Sequence, residues 1–198
     1  MQAKRRLAGI LLALGAATAA TPALAHTGLD LGGGFAVGLA HPFLGFDHVV
    51  AMLSVGALAA VAGGRAVWAL PLAFMGMMAL GGALAMAGVG LPAAEQGIGA
   101  SLVVFGAMLA VRAGLPVPVA TLVVGAFALF HGHAHGAELP ATAAESAYAA
   151  GFLLATGVLH LAGLAAAFGL RRRAVWGAPA LRLAGAATAA GGFVLLLA

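Results

Sequence analysis

The chain has 198 residues, 64% hydrophobic and 7% charged, with nine bases, five acids, seven histidines and no cysteine. A soluble domain carries about 25% charged residues, so this composition excludes a soluble globular protein and leaves an integral membrane protein. The missing cysteines exclude disulfides, thiolate metal sites and thiol nucleophiles.

Lys4, Arg5 and Arg6 form a basic start, residues 7–20 an apolar stretch, and Ala23-Leu24-Ala25 a small-residue cleavage pattern. Together they predict a signal peptide over 1–25 and a single transmembrane domain over 26–198, the alternative being an uncleaved signal anchor. Removal takes three of the nine bases and leaves six against five acids, a formal charge of +1 that gives no support to a nucleic-acid partner. Cleavage after Ala25 makes His26 the mature N-terminus, where a free amine and an imidazole can chelate a metal; the plain alternative is a first residue with no role.

Residues 29–40 are apolar and glycine-rich but too short to span alone, and Pro42 and Gly45 interrupt the chain directly after them. This predicts a short outer half-helix, or the outer part of a kinked one. Six apolar runs long enough to span come next, at 45–63, 66–89, 95–113, 116–134, 144–170 and 175–197. The runs are continuous rather than alternating, so the predicted fold is all-α, a polytopic transmembrane helix bundle of six full spans plus the half-helix. Abundant glycine (31 residues) and alanine suit close helix packing in lipid.

Charge predicts the orientation. Arg65 follows the first span, Arg112 closes the third, and Arg171, Arg172 and Arg173 follow the fifth; these ends face the cytoplasm by the positive-inside rule. Arg182 is near enough to that face to reach it. Asp30, Asp47, Glu95, Glu138 and Glu145 then fall at the outer ends, and the mature chain has both termini outside. A cleaved signal requires the same topology.

Two polar clusters lie at those outer ends. The first is His41-Pro-Phe-Leu-Gly-Phe-Asp47-His48, the second His131-Gly-His133-Ala-His135-Gly-Ala-Glu138. Ionisable groups at membrane depth are expensive and mark functional sites by default, and imidazole with carboxylate is a donor set suited to borderline divalent metals. At about 100° per residue, 131, 135 and 138 share one helical face and His133 points away; an extended segment would align 131, 133 and 135 instead. The helical arrangement is preferred, with two imidazoles one turn apart. His41 and His48 share a face only if a helix runs through Pro42. Asp47 can ligate or fix a neighbouring histidine's tautomer. Met52 is read as packing rather than as a soft ligand. His160, with Thr156 one turn before it, is a relay or second-site ligand or else a packing residue. Glu95 and Gln96 open the third span as a solvated helix start or part of a vestibule.

On His-x5-Asp-His at 41–48 and Phe-His-Gly-x-x-His-Gly-x-Glu at 130–138, the sequence resembles the HupE/UreJ family of nickel and cobalt permeases. The signal peptide, the six-span length and the His26-Thr27-Gly28 start are similar too. The resemblance implies uptake of Ni²⁺ or Co²⁺ across the bacterial inner membrane, with the family's motif residues carried onto His41, Asp47, His48, His131, His135 and Glu138. It implies no enzyme activity and no permanent cofactor, the metal being cargo. Implied partners are the lipid bilayer, an outer-membrane metal supply and a cytoplasmic metallochaperone. Two other classes fit the residues less well: an electron carrier with His48 and His160 as axial haem ligands, which leaves the acids unexplained, and a metal-dependent intramembrane hydrolase, for which no general base is evident.

Overall fold

A computed structural model describes residues 34–139, 144–173 and 175–198. The expected signal peptide, its cleavage site and His26 lie outside the described residues. The elements are α1 (Gly34–Ala40), a 3₁₀ turn (His41–Phe43), α2 (Phe46–Ala62), α3 (Ala66–Met86), α4 (Ala94–Val111), α5 (Val117–Ala137), α6 (Glu145–Arg171) and α7 (Gly177–Leu197). There is no strand among the described residues. Five helices, α3 to α7, are long and apolar enough to cross a membrane. Many of their large apolar side chains face outward, as lipid contact requires; Leu122 is 73% and Leu183 72% exposed. The protein is a multi-pass membrane protein.

The stretch expected as a full span at 45–63 forms a single helix, α2, slightly shorter than the five long ones. Helix α2 has 17 residues, about 26 Å at 1.5 Å per residue, against a hydrocarbon core of about 30 Å. Joined to α1 and its turn it makes a sixth stretch of spanning length, and the two parts are bent by 81°. The residues at the break account for the bend. Pro42 offers no N–H to a continuing helix, and Gly45 is extended (φ −102°, ψ 115°) at the N-cap of α2.

The helices pair closely: α3 with α5, α4 with α7, and α2 with α6, on which α1 also lies. In lipid such seams depend on close packing, which small residues allow. A Cβ on Gly132 of α5 would strike the Met78 carbonyl of α3, and one on Gly81 of α3 the Leu129 carbonyl of α5. Between the seams Met52, Val55, Leu70, Phe74, Phe105 and Val124 are buried in one apolar core. Met52 therefore packs.

The bases gather at one end. Arg171 donates to the carbonyl of Ala60 near the end of α2, and Arg112 and Arg182 line a cavity there with Val61 and Ala62. Both histidine clusters stand at the opposite end.

Candidate metal centre

Three elements carry the clustered side chains. The 3₁₀ turn presents His41, the first turn of α2 presents Asp47 and His48, and the last turns of α5 present His131 and His135 with Glu138 as C-cap. Across the bend between α1 and α2, His41 and His48 both pack against His135. Gly45 makes room for this packing. A Cβ there would lie 2.7 Å from His48 Nδ1 and 2.8 Å from Asp47 Oδ1.

The two clusters meet. Ring centroids are 4.8 Å apart for His41 and His135, 4.1 Å for His135 and His48, and 5.0 Å for His48 and His131. The four imidazoles form a file that goes inward from Glu138, whose Oε2 is 3.4 Å from His41 Nε2. Side-chain exposure is 46% at Glu138 and 12% at His41; further in, His135 is 5% and His131 0% exposed. Phe152, 4.3 Å from His135, and Tyr148, 5.6 Å from His41, wall the file on the α6 side.

Hydrogen bonds fix which nitrogens are free. The Ser101 hydroxyl donates to the Ile98 carbonyl at 2.6 Å. Its single proton is thereby used, so at the 2.8 Å contact with His131 the imidazole Nε2–H donates to Ser101 Oγ. His131 Nδ1 is then bare, and it has no partner. Asp47 Oδ1, which as a carboxylate only accepts, lies 2.9 Å from His48 Nδ1. His48 Nδ1 therefore carries the proton, and the bare Nε2 is buried without a partner. Neither nitrogen of His135 has one either, among the described residues. Buried polar atoms are nearly always satisfied, and a shared cation can satisfy these unpartnered nitrogens, which sit on rings 4.1 to 5.0 Å apart. A ligating histidine held by a hydrogen bond on its other nitrogen is the usual arrangement in metal sites.

At the outer end His41, His135 and Glu138 each offer one ligand atom, all within 4.8 Å of one another. Two bonds of 2.0–2.1 Å span at most about 4 Å, so a small side-chain adjustment closes the set on a first-row ion. The His41 hydrogen bond holds the Glu138 carboxyl below its ordinary range, against a smaller opposing effect of burial. Glu138 therefore stays anionic at neutral pH and supplies the charge that a cation needs.

His133, on the opposite face of α5, turns to the loop after α3, where the Leu91 amide donates to its Nε2 at 3.0 Å. Glu95 is exposed at the first turn of α4, as a solvated helix start is. His160 lies deeper, on α6, outside the file. The haem alternative needs His48 and His160 on two faces of one porphyrin, but the rings of His131 and Phe74 stand in sequence between them.

Sequence reasoning missed Ser101. The available signal was a lone hydroxyl in an otherwise apolar span. Replacing it with alanine leaves His131 without a tautomer-fixing partner; loss of such a partner costs about 10–100-fold in metal affinity. Equilibrium dialysis of purified Ser101→Ala protein against ⁶³Ni²⁺ measures this.

The chain matches the profile of the family described as "HupE / UreJ protein" over residues 12–195, a range that takes in both histidine clusters. The chain belongs to the HupE/UreJ family. It is 44% identical over 185 residues to "Protein HupE" of Rhizobium leguminosarum bv. viciae, covering 91% of this chain and 94% of that protein. No solved structure matches.

Proposed function

We propose that this HupE/UreJ protein takes up divalent nickel, or cobalt, across the bacterial inner membrane. The observation that carries the reading is the inward file of imidazoles with bare nitrogens, headed by the anionic Glu138. A hydrated cation attracted by Glu138 exchanges water for His41 and His135, then passes to His48 and His131. Each station lends few ligands, as conduction requires: binding must be favourable enough to enter and weak enough to leave. The ion is cargo, with no permanent cofactor and no catalytic role for the chain. A metal supply from the outer membrane and a cytoplasmic metallochaperone are the partners this reading calls for.

In this reading the bent α1–α2 pair completes six spans, the signal peptide is removed, and the histidine end is periplasmic. The chain lacks cysteine, which makes the topology directly testable. Pro92→Cys at the histidine end and Val175→Cys at the arginine end place one thiol each on exposed residues. An impermeant maleimide added to spheroplasts is expected to label the first and spare the second. The reverse pattern would invert the transport direction proposed here.

Cells expressing the chain are expected to accumulate ⁶³Ni²⁺. Excess Co²⁺ should suppress that uptake, because both ions suit imidazole and carboxylate ligands. Excess Mg²⁺ should not, since it keeps its waters and prefers oxygen. Accumulation no higher than in vector-only cells, at equal protein in the membrane, sinks the reading.

A further inference from the structure

We infer that His160, Thr156 and Met78 form a second, inner cation station, separated from the outer file by the ring of Phe74. This deepens the uptake reading and rests on it.

Four buried side chains on two facing helices make the arrangement. On α6, Thr156 and His160 are one turn apart; on α3, Phe74 and Met78 are one turn apart. The Thr156 hydroxyl reaches Met78 Sδ at 4.0 Å. Phe74 touches the last imidazole of the outer file, with its centroid 5.5 Å from His131, and also packs edge to face on His160 at 5.1 Å. Thr156 and Phe74 are fully buried, His160 is 1% and Met78 2% exposed. Fifteen residues separate Glu145, where α6 begins, from His160, which puts the imidazole about 22 Å along the helix, past the middle of a span.

Among the described residues, both nitrogens of His160 lack a hydrogen-bond partner. A histidine kept only for its volume would be costly here, since a buried donor or acceptor left unmade forfeits its hydration, and leucine or phenylalanine would fill the space without that penalty. A guest that bonds the imidazole removes the cost. Thr156, one turn before it on α6, and Met78, one turn from Phe74 on α3, offer a hydroxyl oxygen and a thioether sulfur, donors that suit a borderline or soft metal ion rather than Mg²⁺ or Ca²⁺. With no carboxylate among its donors, the inner station holds an ion more loosely than the outer file does. That difference favours inward release.

The test uses the full-length protein in detergent for ⁶³Ni²⁺ binding and in cells for uptake. Wild type is expected to bind ions in two affinity classes. His160→Asn, which keeps hydrogen-bonding capacity but lacks the imidazole, should lose the weaker class and retain the tighter one within twofold, while uptake falls at least tenfold. Met78→Leu should weaken the same class alone. A histidine satisfied merely by packing or by a trapped water predicts near-normal uptake in His160→Asn, and that result overturns the inner station while leaving the outer site standing. If His160→Asn fails to insert, wild-type stoichiometry decides: a single class of ion, lost completely in His131→Ala, also overturns it. Should His131→Ala bind and transport as wild type does, the uptake reading falls and the inner station with it.

Discussion

Cells producing the His131→Ala chain are expected to accumulate no nickel above background, although the protein reaches the membrane in normal amount. His131 is the deepest imidazole of the outer file and fully buried. Its bare Nδ1 is aligned by the Ser101 hydroxyl on the other side of the ring. Alanine removes the ligand and leaves no neighbour able to replace it, since the next ring inward is the phenyl of Phe74. Loss of a partner that merely orients a ligand costs about 10–100-fold, so removal of the ligand itself should exceed 100-fold in uptake. His48→Ala should match it, because His48 Nε2 is the neighbouring bare nitrogen and its ring touches both His131 and His135. The control is His133→Ala, two residues away on the same helix but fastened to the loop after α3; its uptake should stay within a few-fold of wild type. Uptake in His131→Ala equal to that of wild type would remove the outer file from the transport path.

The helical face of the second cluster was legible because one period settles it: 131, 135 and 138 recur at helical spacing and 133 does not. The same rule placed His133 off the site. Pro42 and Gly45 announced a break, but its direction was not written in them. That direction goes with α1 lying on α6, a contact between segments more than a hundred residues apart. The apolar run at 45–63 forms one helix, Phe46–Ala62; hydrophobicity marked its extent but not the angle at which the chain enters it. That the two clusters meet was inferable from topology, since both fall at the acid-bearing ends. Ser101 and Phe74 were not legible. A single serine or phenylalanine in a lipid-embedded helix has many ordinary uses, and its partner emerges only when another helix is laid against it.

Gly132→Val is expected to destabilise the whole bundle rather than only the site. A Cβ at this position would drive into the backbone carbonyl of Met78 on α3. A backbone atom in a packed helix cannot rotate away as a side chain can, so α5 must move off α3. In lipid the two helices are held by close contact and not by exclusion of water, and separation forfeits that contact along the seam, including the reciprocal approach of Gly81 to Leu129. Overpacking of this kind typically costs about 1–3 kcal/mol, and valine adds two methyl groups to the clash of the Cβ itself. The displacement also carries His131 and His135 away from His48, since both sit on α5 while His48 is held on α2. A lower melting temperature in detergent and loss of ⁶³Ni²⁺ binding should therefore appear together. Gly76→Ala provides the comparison within α3, because a Cβ there meets nothing within 4 Å and alanine is the better helix former; it should be neutral in both measurements. If Gly132→Val melts and binds like wild type, α3 and α5 do not touch along this seam, and the alignment of His131 must have another cause.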